Sequence, residues 1–329
     1  MELRHLRYFL AVAEEGQFTR AAERLAMQQP PLSQQIRLLE EEVGFDLFVR
    51  LPRGVELTPA GEAFAQNAAV VLDTLQQGLS HARRIARGEL GSISIGLTSS
   101  AGFHPLTTHL IRAFGVAHPD IEIELAELNA AELIERLLAR QIHVAFLRKP
   151  TETPADLAFT QLLDEPMVVA LPLGHPLLAG VKDVKSAKAT KTTKAAKATK
   201  ATKAKDVQLP AVPLEALANE NFILVRRPGA PGMYADFLTA CKRAGFLPQV
   251  SREVPRMLTG IHMVAAGLGV TLVPASMRHY DHENVAFCGL SSAHGLSAPL
   301  HLAYPSEMNN PAAARFVEFA HARLASGIE

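Results

Sequence analysis

Near the start of the chain Gln29, Ser33, Gln34, Arg37 and Arg53 carry the amide, hydroxyl and guanidinium groups that address base-pair edges and phosphates, and the apolar ring of Pro30 stands among them. At 100° per residue, Pro30, Gln34, Arg37 and Glu41 share one helical face, with Ser33 on its flank and Gln29 at its start. A second set, Ser99, Ser100, Asn129, Arg148 and Arg226, lies near the ends of short apolar segments. Hydroxyls, backbone N–H groups and cations gathered there suit an anion such as a carboxylate. Asn129 followed by Glu132 also has capping-box spacing, which needs no ligand. Catalytic chemistry finds little support. There is no Gly-rich loop ending in Lys-Ser or Lys-Thr, no His-Glu-x-x-His and no Gly-x-Ser-x-Gly. His279, Asp281, His282 and Glu283 cluster in HYDHE, which reads as a solvated loop rather than a metal site. Cys241 and Cys288 are too few and too far apart for a disulfide framework, and nothing beside them marks an activated thiolate. No enzyme, metal or cofactor is expected.

The elements that hold the first set follow from apolar spacing. Leu3, Leu6, Phe9, Leu10 and Ala13 form a helical stripe over Leu3 to Glu15, stopped by Gly16. Thr19 is placed to cap a second, shorter helix ending near Met27, with Ala21, Ala22 and Leu25 small or apolar. Pro30 suits the first turn of a third helix, whose Leu32, Ile36, Leu39 and Val43 face a core. Its outward N-terminal end is polar or basic, whereas Glu40, Glu41 and Glu42 near its other end would repel phosphates. Only its first two turns are expected to approach a duplex, N-terminus first. Phe45 to Thr58 reads as a hairpin turning at Pro52, Arg53 and Gly54, with Arg50 and Arg53 at the tip, where an arginine can reach phosphate or the minor groove. On pattern alone, a three-helix scaffold with a solvated face also satisfies these spacings.

The ordered set FTRAAERL, QPPLSQQIRLLEEEVG, LFVR and LTPAG resembles, across its whole length, the N-terminal winged helix-turn-helix of LysR-type transcriptional regulators. The resemblance implies DNA contacts at Gln29, Pro30, Ser33 and Gln34, with Arg53 from the wing. Many members carry arginine where Gln34 stands; glutamine pairs bidentately with adenine, arginine with guanine. Behind this module Leu57, Gly61, Phe64, Ala68, Val71, Leu75, Gly78, Ala82 and Ile85 alternate spacings of four and three. Thr58 to Arg87 would form a rod of about 45 Å whose seam pairs with a second copy or packs on the chain's own second domain. The resemblance favours the dimer and further implies a tetramer.

From Gly91, short apolar strands (Ser92 to Leu97, Ile121 to Leu125, Val144 to Leu147, Met167 to Leu171, Phe222 to Val225, Gly269 to Val273) alternate with helical stretches. The latter run near Pro105 to Ala117, Ala130 to Ala139, Tyr234 to Ala244 and Arg256 to Ala266. This predicts an α/β architecture with mostly parallel sheets and a ligand crevice at the strand ends. VAAGLGVTLVPAS and DEPMVVALPLGHPL resemble the LysR effector domain, which is two-lobed and periplasmic-binding-protein-like. The expected organisation is therefore residues 1–58 as winged helix-turn-helix, 59–90 as linker and dimerisation helix, and 91–329 as effector domain. Lobe I would take about 91–162 and 268–329, and lobe II about 163–267. MELRHLRYF and DEPMVVALP most resemble members answering to aromatic acids such as benzoate, muconate or phenylpropionate. In that group the effector site maps onto Ser99 and Asn129, where some members have threonine at the latter, and arginine follows the strand as Arg148 does.

The charge of the chain balances at 33 basic against 33 acidic residues, but the average hides unlike parts. Lys182 to Lys205 holds nine lysines and one aspartate, leaving the rest at −8. Residues 1–90 contain ten arginines, no lysine and twelve acids, so bulk charge says nothing for DNA there. The lysines recur every three residues, which builds no apolar face, and the segment reads as an extended, disordered surface insertion at 182–205 that could attract phosphates nonspecifically. No apolar run approaches the ~20 residues of a membrane span, and the N-terminus lacks an export pattern, so a cytoplasmic protein is expected. The sequence thus points to an activator-type regulator with double-stranded DNA, a small carboxylate, itself and RNA polymerase as candidate partners. The alternatives are a redox- or other-signal-responsive regulator of the same fold, a solute-binding protein or an enzyme.

Overall fold

The computed structural model describes residues 1–148, 153–179, 209–226, 231–280, 283–291 and 296–326, without the side chains of Pro231 and His279. The lysine-rich insertion, Asp281 and His282 lie outside these residues. The chain folds as two compact units, Met1–Ala86 and Arg87–Glu329.

In the first unit, helices α1 (Leu3–Glu15), α2 (Phe18–Arg24) and α3 (Gln29–Val43) precede a hairpin of β1 (Phe48–Leu51) and β2 (Gly54–Leu57), then the long helix α4 (Pro59–Ala86). Of the stripes read from the sequence, Leu6 and Phe9 of α1 and Leu32, Ile36 and Leu39 of α3 are buried, Leu10, Ala13 and Val43 are partly so and Leu3 is exposed, while Val12, outside the stripe, is buried as well. Phe9 is the hub, with ring centroids 5.3 Å from Phe48 of the hairpin and 5.1 Å from Phe64 of α4, while Phe18 of α2 stands 6.1 Å from Phe48. Edge-on aromatic contacts add to area burial, so four elements converge on one packing point. Two expectations shift. Gln17, not Thr19, stands at the N-cap of α2, because Gln17 is drawn toward the hairpin, its Nε2 donating to the Arg53 carbonyl at 3.4 Å. Arg50 pairs across from Val55 within the hairpin, so the turn consists of Pro52 and Arg53.

The seam of α4 divides. Gly61, Phe64 and Ala68 of the seam, with Leu72 beside them, pack into the core of the same unit, whereas Val71, Leu75 and Ile85 of the seam, with the neighbouring Leu79, are exposed in the single chain. Thr58 starts the helix, its Oγ1 accepting from the Gly61 N–H at 2.8 Å.

The second unit contains β3 (Gly91–Leu97), α5 (Ser99–Gly102), α6 (Pro105–Ala117), β4 (Ile121–Glu127), α7 (Ala130–Leu138), β5 (Val144–Arg148) and β6 (Leu157–Leu163). These are followed by β7 (Met167–Pro172), β8 (Ala211–Val212), β9 (Asn221–Val225), α8 (Pro231–Arg243), β10 (Gln249–Val254), α9 (Met257–Ala265), β11 (Thr271–Pro274), β12 (Val285–Leu290), β13 (Leu300–Pro305) and α10 (Pro311–Ala325). One sheet has the order β4-β3-β5-β13-β6, the other β11-β7-β12-β8, with β9 and β10 paired beside β11 through bonds between Asn221, Ile223 and Val270. The architecture is two-lobed α/β, but its sheets are mixed. β13 runs antiparallel to β5 and β6, and β7 antiparallel to β11 and β12. Local alternation of strand and helix reports the parallel βαβ pieces and is blind to a strand returning from far along the chain. The same pairing moves the lobe boundary. Because β11 and β12 join β7, residues up to Leu290 stay with the second lobe rather than returning to the first near 268, and the two crossings meet where Pro166 bridges Ser297.

Candidate nucleic-acid interface and ligand cleft

In the first unit the outward face of α3 is as the spacing predicts. Gln29, Pro30, Gln34 and Arg37 are exposed and Ser33 is partly so. Prolines at 30 and 31 occupy the first turn, where a missing N–H costs no helical bond. That end carries the positive pole of the helix, which favours phosphate. Among the described residues Arg37 and Arg53 enter no ion pair. Arg53 is exposed at the hairpin turn.

The acidic end of α3 differs from the expectation of a phosphate-repelling surface. Glu40 turns inward, its Oε1 accepting from the backbone N–H groups of Leu47 (2.9 Å) and Phe48 (3.1 Å). Glu42 is ion-paired with the N-terminal amine. Glu40 therefore braces the base of the hairpin that carries Arg53. Sequence reasoning missed this, for a run of three glutamates does not show which one bends back.

In the second unit all five predicted ligand residues, Ser99, Ser100, Asn129, Arg148 and Arg226, line one cavity of about 450 Å³ between the lobes. Thr98 caps α5 by accepting from the Ala101 N–H at 3.3 Å, and Ser100, nearly buried, lies 3.4 Å from the Thr98 hydroxyl. Ser99 is partly exposed beside it. Asn129 does form the capping box, with its Oδ1 accepting from the Glu132 N–H at 2.9 Å and its own N–H donating to Glu132 Oε2 at 3.3 Å. Arg226 is exposed just past β9.

Arg148 is not a free cation. It is 5% exposed and forms a buried ion pair with Glu165 in the 164–166 crossing. It also donates to the carbonyl of Ala298 in the second crossing and to that of Ser100 at 3.5 Å. Glu165 in turn accepts from the Ser276 N–H (2.7 Å) and hydroxyl (3.0 Å). A pair so enclosed resists separation, because removing one partner strands a buried charge. Arg148 thus ties the cavity floor to both crossings. Nearby His104 has its pKa lowered by burial, with Arg148 lowering it further against the pull of Glu165, and its Nδ1 accepts from the Leu106 N–H at 3.1 Å.

Two charged wall residues escaped the sequence reading. Glu127 ends β4 in the first lobe, Arg256 precedes α9 in the second, and the guanidinium Nη1 stands 2.9 Å from Glu127 Oε1. Elsewhere, among the described residues, no three His, Cys, Asp or Glu side chains are grouped to hold a metal ion, and no helix is long and apolar enough to cross a membrane.

A wing-bearing helix-turn-helix joined in one chain to two lobes around a ligand-sized cavity defines a ligand-sensing, DNA-binding class of protein. Residues 3–62 match the bacterial regulatory helix-turn-helix of the lysR family, and residues 86–188 and 205–325 match the LysR substrate binding domain. The chain belongs to the LysR family of transcriptional regulators and is a DNA-binding regulator rather than an enzyme. It is 36% identical to the transcriptional regulator AlsR of Bacillus subtilis (strain 168) over 321 residues, 98% of this chain and 96% of the relative. It is also 36% identical to BudR of Raoultella terrigena over 318 residues, 97% and 99% of the two chains. Full-length CbnR, solved with its target DNA, superposes with a TM-score of 0.71 at 26% identity, covering 98% of this chain and 100% of that one.

Proposed function

We propose that this regulator is switched by a small organic acid, aromatic or dicarboxylic, held in the cavity between its lobes. The observation that carries this reading is the convergence of hydroxyls, an amide and guanidiniums from both lobes on one space of about 450 Å³, the size of a small-metabolite site. Ser99, Ser100, Asn129 and Arg226 face the ligand, and Arg148 transmits its presence to the crossings. The ligand must favour one lobe arrangement over the other, since equal affinity shifts nothing.

On the DNA side Gln29, Pro30, Ser33, Gln34 and Arg37 enter the major groove from α3, and Arg53 reaches from the wing. The exposed half of the α4 seam pairs with a second copy, so two α3 helices meet a two-fold operator. A tetramer, contact with RNA polymerase, an activating role and a cytoplasmic location complete the reading. BudR and AlsR stand beside the activator of the Escherichia coli Hca operon and Acinetobacter baylyi BenM among the relatives, so the choice of acid rests on the cavity.

The test has two arms. Footprints on fragments selected from a random DNA library should weaken on Ser33→Ala or Arg37→Ala, and unchanged footprints would refute this orientation of α3. A thermal-shift screen of aromatic and dicarboxylic acids should raise the melting temperature with at least one acid. Ser99→Ala should blunt that rise, and a flat screen would refute the organic-acid reading.

A further inference from the structure

We propose that Arg256 reads the carboxylate of the ligand and that Glu127 is a built-in competitor for it. The proposal rests on the reading of the cleft as an organic-acid site and deepens it. Arg256 and Glu127 face each other across the cleft at 2.9 Å, and their side chains remain 55% and 42% exposed. More than half of the Arg256 side chain is open to water, so a second carboxylate can reach it at a small cost in desolvation. Arg148, in the same cavity, offers no such opening. It is 5% exposed, and its two terminal nitrogens already serve Glu165, Ala298 and Ser100.

The walls are unlike in charge. The second lobe contributes Arg226 and Arg256, and among the described residues Arg226 enters no ion pair. The first lobe contributes Glu127 and Glu132 along with the hydroxyls of Ser99 and Ser100, its one guanidinium, Arg148, being already neutralised by Glu165. A carboxylate placed among these groups is drawn to the second lobe and repelled by the first. The seat that the sequence suggested for the acid, at Ser99 and Ser100, thus takes the uncharged part of the molecule. Binding exchanges one ion pair for another: the ligand carboxylate takes the fork of Arg256, and Glu127 returns to water. The link between lobes then runs through the ligand instead of through Glu127. A guanidinium fork receives a carboxylate bidentately, which favours acids over their neutral isosteres.

Calorimetry and thermal shift with benzoate, succinate and neutral benzamide test this on the full chain. Glu127→Gln should lower the acid concentration needed for half-saturation by about threefold, the scale of one exposed ion pair. Arg256→Gln should raise it by about tenfold or more, as for a lost charged hydrogen bond, and Arg256→Lys should fall between. The gain from Glu127→Gln should vanish in the Arg256→Gln background. If an acid binds the wild type and binds Arg256→Gln equally well, or if the Glu127→Gln gain persists without Arg256, the proposal fails while the organic-acid reading stands. If benzamide matches benzoate, or no acid of the wider aromatic and dicarboxylic screen binds, the organic-acid reading fails and this inference with it. Loss of binding in Arg256→Lys as complete as in Arg256→Gln, with a lowered melting temperature in both, would assign Arg256 to folding and also overturn it.

Discussion

Replacing Glu40 separates two physical accounts of the acidic end of α3, because they differ in sign. If the carboxylate merely repels phosphates, Glu40→Ala should tighten DNA binding by up to about threefold, the scale of one screened charge. The structure points the other way. One carboxylate oxygen accepts two N–H groups, from Leu47 at 2.9 Å and Phe48 at 3.1 Å, and these residues are 0% and 8% exposed. Water therefore cannot readily replace the lost acceptor. Each orphaned buried donor costs about 1–3 kcal/mol, so the two put Glu40→Ala at about 2–6 kcal/mol. Glu40→Gln keeps an acceptor oxygen and should cost about 1 kcal/mol or less. The hairpin loses its anchor in the alanine variant, so Arg53 is held less firmly and DNA affinity falls severalfold. Urea denaturation gives the stability change, and fluorescence anisotropy with a selected operator gives the affinity. Tighter DNA binding by Glu40→Ala, or a glutamine variant as unstable as the alanine one, would refute the brace.

Gly61→Ala and Gly78→Ala lie in the same helix and should act oppositely. A Cβ at Gly61 would stand 2.1 Å from the Leu47 carbonyl oxygen, a clash with backbone costing about 1–3 kcal/mol. A Cβ at Gly78 meets nothing within 4 Å, so alanine should stabilise α4 by up to about 1 kcal/mol. Circular-dichroism melts at several protein concentrations check both, and a Gly78→Ala gain that shrinks at high concentration would place that glycine in the contact between paired helices. Burial pushes the thiols of Cys241 and Cys288 up to about 12 and about 11, so neither should react with iodoacetamide at pH 8 until urea is added. Unfolded thiols release their protons near 9 while the folded ones retain them, so this contribution to stability falls as pH rises through that window. Rapid native labelling would overturn that account and favour a thiol-based signal.

The local parts of the fold were legible. The helices Leu3–Glu15 and Pro105–Ala117 have the bounds the sequence predicts, and for the first both the period and the stop at Gly16 are local facts. The lateral order of strands was not legible. β13 sits inside the first sheet, yet nothing near Leu300 announces partners at Ala145 or Phe159. The α3 face followed from 100° helical spacing, and the five cavity residues from the rule that polar groups at element ends face a shared space. Extending β4 by the two residues to Glu127, and asking the same of the residue before α9, would have found Glu127 and Arg256. The partnership of Arg148 with Glu165 needed three dimensions, since the hydrogen bonds that enclose it come from positions 100, 276 and 298.

The end of α1 and the turn of the hairpin meet at a single spot. The Gly16 carbonyl accepts from the Val55 N–H at 2.8 Å, and a Cβ on Gly54 would lie 2.5 Å from that same oxygen. Main chain rests on main chain there, with no side chain between to act as a cushion. The angle at which Arg53 leaves the body is therefore inherited from the first helix and cannot be retuned one residue at a time. New operator preferences in this protein should arise by changing what the arginine is, or what α3 displays, rather than by re-aiming the wing.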